Sequence, residues 1–370
     1  MTAQRIVFVA GARPNFMKVA PMLRAMTAAR APFERLLVHT GQHYDAAMSD
    51  VFFRELEIPA PDVHLNVGSG THGAQTAKIL AAFEEWLLAQ DVLPRGVVVV
   101  GDVNSTMACT LAATKVNVPV AHVEAGLRSF DRQMPEEINR MVTDAVADLL
   151  LTSEPSGDEN LAREGVAAER VKFVGNTMID TLVHELPRAK ALAVGARHGV
   201  EAGRYAFVTL HRPSNVDTAE RLGELIALLE ETAVRFPVVF PVHPRTRERL
   251  GRFGLERRVT ENPRVKLLDP LGYRETVGLM AGAAFALTDS GGIQEETTYL
   301  GVPCLTLRPN TERPATVTFG TNTIVGDDLA KARSLIVDIA DGRYKKGGPV
   351  DGWDGKAAER VARVLVEAWG

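Results

Sequence analysis

The sequence predicts an α/β protein built from two doubly wound parallel sheets. Short apolar runs of strand character alternate along the chain with segments of helical periodicity, which is the pattern of buried parallel strands joined by helices. The chain has 370 residues, more than one ordinary core holds, so we expect two domains. The glycine- and alanine-rich passage 193–203 is the best linker candidate between them.

Composition argues against several classes of function. The net charge of −4 gives no electrostatic reason to expect nucleic acid, and no basic run is interleaved with aromatic residues. No apolar stretch approaches the roughly 20 residues of a membrane-spanning helix, and the apolar run at 6–10 is too short for a signal peptide. Cys109 and Cys304 lie far apart in apolar segments, as buried thiols of a reducing compartment do. We therefore expect a cytoplasmic protein without nucleic-acid or membrane partners.

Two cations follow the first predicted strand. The run 5–10 leads into a glycine turn that carries Arg13, and Lys18 lies about one helical turn further on. The carboxyl ends of parallel strands are where α/β proteins bind ligands. Taken alone, either cation is more often a solvated surface charge. Pro21 is expected to kink this helix or to mark a second helix start.

Three carboxylates follow later strands of the first half. Asp102 comes after the strand 97–100, Glu124 after 118–123, and Glu136 lies in the first turn of a helix that Pro135 begins. Asp102 and Glu124 are expected to face one crevice, since both end parallel strands. The structural alternatives are that Asp102 caps a helix, that Glu124 pairs with Arg128, and that Glu136 pairs with Arg140.

The second half ends its strands with polar groups as well. His211 and His243 follow the strands 205–210 and 238–242, and Ser290-Gly291-Gly292 follows the strand 284–287. A glycine turn that opens a helix suits a phosphate group. The alternative is an ordinary turn in which Ser290 caps the helix, while Glu295 and Glu296 lie in its first turn and stabilise its dipole.

Two motifs that suggest cofactors are weak. Residues 68–73, GSGTHG, match the dinucleotide fingerprint, but no clear strand precedes them and no ribose-binding acid follows. We predict a loop there, feeding a helix at 74–90, and no bound NAD. His39 and His43 have the spacing of a helical metal pair, but Gly41 between them favours a loop. No metal and no cofactor are expected.

An ordered set of segments resembles the non-hydrolysing UDP-N-acetylglucosamine 2-epimerases. The resemblance runs from about residue 6 to 326 and rests on GARPNFMK, GDVNST, HVEAGLRS, PEEINR, HRPSNVD, PVHPRT, TDSGGIQEE and TERP, in this order. It implies two Rossmann-like domains facing a cleft, as in the glycosyltransferase-B-type fold, with the C-terminal helix crossing back onto the first domain. The implied domains are 1–178 plus 355–370, with the catalytic carboxylates, and 179–354, with the UDP site.

The resemblance also implies a reaction. UDP is eliminated to leave a 2-acetamidoglucal and then adds back, while C2 is deprotonated on one face and reprotonated on the other. This implies acid and base roles for Asp102, Glu124 and Glu136, and an interaction of His211 with the departing diphosphate. Which carboxylate is acid and which is base stays open. The implied substrate-binding residues are Arg13, Lys18, Arg140, Ser290, Gly291, Gly292, Glu296 and Arg313.

The sequence departs from the best-known bacterial members at several positions. Asn15 stands where glutamate is common, and the loop 42–45 reads QHYD where many members carry QHR beside an allosteric UDP-N-acetylglucosamine site. Allosteric activation is therefore not expected. The same forms occur in relatives acting on UDP-2,3-diacetamido-2,3-dideoxyglucuronate, which leaves the sugar open. The motifs are also compatible with a glycosyltransferase of this fold or with a non-catalytic nucleotide-sugar sensor, and the family suggests a homodimer.

Overall fold

The computed structural model describes residues 4–42 and 55–370. Within it the chain forms two compact units. The first comprises Met1–His184 and Asp351–Gly370, and the second comprises Glu185–Val350. Each unit is a parallel sheet with helices, so the predicted fold class is confirmed.

The first unit contains a sheet of seven parallel strands in the order β3-β2-β1-β4-β5-β6-β7. The order reverses direction between β1 and β4, and this switch point is where a doubly wound sheet opens a ligand crevice. The strands are β1 Gln4–Ala10, β2 Phe33–His39, β3 Val63–His64, β4 Gly96–Val100, β5 Val120–Ala125, β6 Leu149–Thr152 and β7 Val171–Phe173. The central strand β4 reads GVVVV and is buried throughout, as a strand covered on both faces requires.

Helices follow these strands in alternation. They are α1 Arg13–Ala28, α2 His72–Leu88, α3 Asn104–Lys115, α4 Pro135–Val146, α5 Pro155–Arg163 and α6 Thr177–Ala191. Helix α1 continues through Pro21, so the expectation of a second start there is wrong. Pro135 is the first residue of α4, as predicted, because its fixed φ suits that position. Residues 68–71 of the GSGTHG segment precede α2, and its last two residues begin the helix, which starts at His72, two residues before the predicted start.

The second unit repeats the arrangement with six parallel strands in the order β10-β9-β8-β11-β12-β13. Its switch point lies between β8 and β11. The strands are β8 Ala206–Thr209, β9 Val238–Pro241, β10 Val265–Leu268, β11 Phe285–Thr288, β12 Cys304–Thr306 and β13 Asn322–Ile324. The helices are α7 Val194–Arg197, α8 Pro213–Val216, α9 Ala219–Arg235, α10 Pro244–Arg252, α11 Glu256–Thr260, α12 Tyr273–Gly282, α13 Gly291–Leu300, α14 Pro314–Thr318 and α15 Leu329–Ala340.

The passage 193–203 does not separate the two units. It lies inside the second unit and carries the short helix α7, while the division falls within α6, between His184 and Glu185. Small residues therefore mark a packed turn here and not a linker, because Gly195 lies against Val200 and Tyr205. The linker interpretation is wrong for this reason.

The last helix, α16 Ala357–Trp369, belongs to the first unit. Its buried positions recur at helical spacing, which gives the amphipathic face that packs on α1. Asp180 of α6 accepts hydrogen bonds from the backbone N–H groups of Ala357 and Ala358, at 3.0 and 2.6 Å, and so caps α16. The prediction that the C-terminal helix returns to the first domain is confirmed. No helix in the described ranges is long and apolar enough to span a bilayer.

Candidate active site

Lys18 and Glu124 form a buried ion pair at the switch point of the first sheet. The Lys18 ammonium, on α1, donates to Oε2 of Glu124, at the end of β5. The side chains are 8% and 4% exposed, so little water screens them. A Cβ placed on Gly101 would lie 3.2 Å from Glu124 Oε2 and 3.3 Å from Lys18 Nζ. The glycine after β4 therefore keeps this space open, and the alternative pairing of Glu124 with Arg128 is not found.

Asp102 follows β4, the strand beside β5, and is held by an arginine. Arg140, on α4, donates from Nη2 to Asp102 Oδ2 at 2.5 Å and from Nη1 to Glu137 Oε2 at 2.7 Å. Glu137 in turn accepts backbone N–H groups of Ser129 and Phe130 at 2.9 Å each. The Asp102 side chain keeps 26% of its surface exposed, so this carboxylate is anchored and still accessible to a ligand.

The structure describes two other candidate residues of the first unit, Glu136 and Arg13, in less detail. Glu136 is half-buried and lies in the first turn of α4, two residues before Ile138. Arg13 is the first residue of α1, and its side chain lies outside the described part of the chain. Of the loop 42–45, only Gln42 lies within the described part of the chain. The expectation about an allosteric loop is therefore not tested.

Asn15 fixes the turn after β1. Its Oδ1 accepts the N–H groups of Gly11 and Ala12, at 3.1 and 3.0 Å, and its Nδ2 donates to the carbonyl of Val100 at 2.9 Å. One amide thus joins the ends of β1 and β4 across the switch point. A glutamate could accept the first two bonds but could not donate the third.

In the second unit, His211 and Asp289 meet across the switch point between β8 and β11. His211 Nδ1 lies 2.7 Å from Asp289 Oδ1, and the carboxylate also accepts the backbone N–H of Arg212 at 2.9 Å and Asn215 Nδ2 at 3.1 Å. Burial raises the pKa of Asp289, but its hydrogen bonds with His211 outweigh this and leave the pKa below its ordinary value. His243 lies beside His211, with ring centroids 5.6 Å apart.

The turn Ser290-Gly291-Gly292 opens α13, as predicted. Ser290 is the residue before the helix, but its side chain makes no capping hydrogen bond. A Cβ on Gly291 would lie 2.9 Å from Glu312 Oε1, so only glycine fits without a shift. Glu312 is held by Arg308 Nη2 at 2.8 Å. The start of α13 therefore carries backbone donors beside an arginine.

Glu295 and Glu296 do not lie in the first turn of α13, so that expectation is wrong. Both are buried one turn further along. Glu295 forms an ion pair with Arg313, whose Nε lies 2.9 Å from Glu295 Oε1, and Glu296 accepts a hydrogen bond from the Tyr273 hydroxyl at 2.8 Å. Burial raises the pKa of Glu296 to about 8, with the negative charge of Glu295 adding to it and the Tyr273 hydrogen bond opposing it. Each of these glutamates therefore interacts with a specific side chain, and neither stabilises the dipole at the start of α13.

Sequence reasoning missed several buried polar residues around these groups. Local patterns did not single out Asp289, Tyr273, His122 and Asp144, although all four are buried. The signal for Asp144 was a carboxylate on the buried stripe of a helix, and the signal for Asp289 was a carboxylate directly after an apolar strand. Within the residues the structure describes, no group of three or more His, Cys, Asp or Glu side chains is arranged to hold a metal ion.

Comparison with known proteins agrees with this geometry. A family model described as UDP-N-acetylglucosamine 2-epimerase matches residues 25–366. The UDP-N-acetylglucosamine 2-epimerase of Methanocaldococcus jannaschii is 40% identical over 366 residues, or 98% of each chain. The UDP-2,3-diacetamido-2,3-dideoxy-D-glucuronate 2-epimerase of Pseudomonas aeruginosa is 40% identical over 370 residues, covering 98% of this chain and 99% of that protein.

A solved structure shows the same fold. The crystal structure of the M. jannaschii UDP-GlcNAc 2-epimerase in complex with UDP-GlcNAc and UDP has a TM-score of 0.88 and 40% sequence identity, and the match covers 98% of this chain and 100% of that one. The residues that carry the resemblance lie at the carboxyl ends of strands in both sheets. The chain therefore belongs to the UDP-N-acetylglucosamine 2-epimerase family.

Proposed function

We propose that this protein converts UDP-N-acetylglucosamine to UDP-N-acetylmannosamine by epimerisation at C2. The observation that carries the proposal is the pair of carboxylates at the ends of β4 and β5. Asp102 and Glu124 follow adjacent strands, and each is held by a cation, Arg140 and Lys18 respectively. A reaction that moves a proton off one face of C2 and onto the other needs two such acid/base groups. Glu136 is a third candidate.

The proposed steps balance as an elimination followed by an addition. A carboxylate removes the C2 proton, the C2–H electron pair forms the C1–C2 double bond, and UDP leaves with the C1–O pair. The intermediate formed by this elimination is enzyme-bound 2-acetamidoglucal. A second carboxyl group then protonates C2 from the opposite face while the UDP oxygen bonds to C1 again. No oxidant is consumed, so the reaction itself needs no redox cofactor.

The second unit supplies groups suited to UDP. His211 is oriented by Asp289, and the turn at Ser290 starts α13 with the backbone N–H groups of Gly291 and Gly292. Backbone donors at a helix start stabilise a diphosphate, above all as it takes up charge on leaving. Glu296, held by Tyr273, is proposed to accept ribose hydroxyls, and Arg313 to contact the ligand.

UDP-2,3-diacetamido-2,3-dideoxyglucuronate is the second candidate substrate. It is favoured by the equally high identity, 40%, to the P. aeruginosa 2-epimerase that is named for this sugar. The chemistry at C2 would be the same, so Asp102 and Glu124 would keep their roles. The two candidates differ only in what the protein must accommodate at C3 and C6.

Proton NMR in deuterated buffer tests both substrates. With UDP-N-acetylglucosamine we expect loss of the C2 proton signal and the appearance of anomeric signals from UDP-N-acetylmannosamine. Exchange with the diacetamido uronate alone would assign the second substrate. If UDP binds but neither sugar exchanges its C2 proton, the epimerase proposal is wrong, and a glycosyltransferase or a sensor becomes the better interpretation.

We further propose that the protein is a cytoplasmic homodimer formed through the first unit. The end of α2 and the segment after it expose three large apolar side chains, Leu88, Val92 and Leu93, with exposed fractions of 64, 57 and 42%. The two buried thiols suit a reducing compartment. Sedimentation velocity should give a dimer that Leu88→Glu weakens, and a monomeric wild type would contradict the proposal. Cell fractionation should recover the protein with cytoplasmic markers.

A further inference from the structure

The backbone of Glu124 is strained. It has φ of 75°, in the left-handed region that side chains other than glycine rarely adopt. The register between β5 and β6 shifts between Val123 and Ala125, so Glu124 is the extra residue of a β-bulge. A bulge turns a side chain in a new direction, but such a conformation costs roughly 1 to 3 kcal/mol and persists only when neighbouring contacts enforce it.

The contacts that enforce it converge on one carboxylate. Asp144, on α4, is almost fully buried. Its Oδ1 lies 2.6 Å from His122 Nδ1, and its Oδ2 accepts from Gly126 N at 3.0 Å and from Arg128 Nη1 at 2.7 Å. These partners stand two residues before Glu124 and two and four residues after it. The carboxylate therefore clamps β5 on both sides of the bulge.

The clamp is itself anchored and reaches the neighbouring strand. Arg128 also binds Glu164 through two bonds, at 2.8 and 2.7 Å. His122 Nε2 donates to the carbonyl of Gly101 at 2.8 Å, and Gly101 directly precedes Asp102. Burial would raise the pKa of Asp144, but His122 and Arg128 lower it below its ordinary value, so the group is ionised and can only accept.

We propose that Asp144 is a positioning residue for the epimerase, because it holds Glu124 in the bulge and thereby against Lys18. The inference rests on the proposed function for its catalytic consequence. The dependence of the Lys18–Glu124 pair on Asp144 is structural and can be tested without turnover.

Asp144→Asn tests the clamp with little change in volume. The carboxylate serves three donors, whereas the amide offers one oxygen and brings an NH₂ group toward other donors. We expect kcat to fall by about a hundredfold, as small displacements of catalytic groups can cause. The affinity for UDP should stay within about twofold, since the proposed UDP contacts of the second unit are unchanged.

Asp148→Asn is the matched control. Asp148 also accepts a backbone N–H of β5, that of Val120 at 2.8 Å, but at the opposite end of the strand. This variant should keep wild-type kcat. Both variants are to be assayed at the same interval below their own melting temperatures, so that kcat refers to folded protein. Equal kcat values for Asp144→Asn and Asp148→Asn would overturn the inference.

A second readout does not depend on activity. The ammonium of a buried, ion-paired lysine exchanges its protons slowly enough for a ¹⁵N–¹H signal, which a Lys18→Arg variant assigns. The signal should persist in Asp148→Asn and be lost or shifted in Asp144→Asn. An unchanged signal in Asp144→Asn would overturn the inference, whether or not the wild type turns over. A wild type inactive on both sugars would contradict only the proposed function.

Two variants of His122 keep the inference testable if Asp144→Asn does not fold. The amide of His122→Asn can stand near the place of Nδ1 and keep a donor toward Asp144, whereas His122→Gln reaches the place of Nε2 and keeps the donor toward Gly101. If the clamp positions Glu124, His122→Asn retains the higher kcat and the Lys18 signal. The reverse order would contradict the proposal.

Discussion

At the scale of single residues, Glu296 is held in a different way from the two carboxylates proposed to carry out the chemistry. Asp102 and Glu124 are paired with the cations Arg140 and Lys18, an environment that suits groups that exchange protons with a substrate. Glu296 accepts instead from a neutral hydroxyl, that of Tyr273, and its pKa is raised to about 8. This difference supports the proposed roles, which are proton transfer for Asp102 and Glu124 and UDP binding for Glu296.

Replacing Asp102 by Asn should separate turnover from binding. The amide keeps the shape of the side chain but can neither take up nor release a proton at this site, so kcat should fall by roughly 10² to 10⁴-fold. UDP affinity, measured by calorimetry, should change little. Asp131→Asn, on the loop after β5, is a control that should remain active. Turnover close to wild type in Asp102→Asn would remove this carboxylate from the mechanism.

Glu296 should make the stability of the protein depend on pH. Its folded-state pKa of about 8 lies above the ordinary value of 4.5. Between these two pH values the folded state therefore keeps a proton that the unfolded state has lost. The stability from this group is complete below about pH 4.5 and is lost as the pH rises through 8. Relative to Glu296→Gln, the wild type should therefore lose roughly 1 to 4 kcal/mol over that window.

Thermal melts followed by circular dichroism from pH 5 to 9 measure this effect. In Tyr273→Phe the loss of the opposing hydrogen bond should raise the Glu296 pKa further and move the decline to higher pH. Parallel pH profiles for the wild type and Glu296→Gln would contradict the prediction.

At the scale of elements, the C-terminal helix α16 is held to the first unit by its cap and its apolar face. Asp180 caps it, and Trp369 lies against Gly96 of β4, where an added Cβ would come within 2.4 Å of the indole ring. The Trp353 indole N–H donates to the carbonyl of Ser153 at 3.0 Å. The last 20 residues are therefore part of the first unit's structure.

Asp180→Ala should destabilise the first unit by about 1 to 2 kcal/mol, because two buried N–H groups lose their acceptor. The three tryptophans are Trp86, Trp353 and Trp369, and all lie in the first unit, so fluorescence during urea unfolding reports on that unit. Glu359→Ala, which removes an exposed carboxylate from the first turn of α16, should cost less than half as much. Equal losses would argue against the cap.

At the scale of the whole molecule, each unit has its own sheet and core. The core of the second unit is formed by residues between Ala206 and Ile336, within one continuous segment of chain. The groups proposed for UDP, His211, Glu296 and Arg313, lie in the same segment. We therefore expect folding of this unit, and the proposed binding of UDP, to depend mainly on contacts inside it.

A fragment comprising residues 185–350 should fold alone and bind UDP more weakly than the full chain. Circular dichroism should show cooperative unfolding, and UDP should raise the melting temperature because it binds only the folded state. The same fragment with Glu296→Ala should fold but show a smaller shift. A fragment that is unfolded, or that UDP does not stabilise, would contradict the prediction.

Local pattern determined much of the fold and the candidate site. Apolar runs placed β1, β4 and β9 within a residue of their observed bounds, and Pro135 marked the start of α4. The turn after β11 and the charged groups at the strand ends could also be predicted, because strand periodicity and turn chemistry are properties of neighbouring residues.

Which of these groups meet depends on how distant segments of the chain pack together. Lys18 and Glu124 are 106 positions apart, and nothing local indicates that β1 lies beside β4 or that α4 brings Asp144 beneath β5. The burial of Glu295 and Glu296, and the division within α6, likewise follow from packing. Contacts between distant segments depend on strand order and on the register of a bulge, and a linear pattern of apolar and polar residues specifies neither.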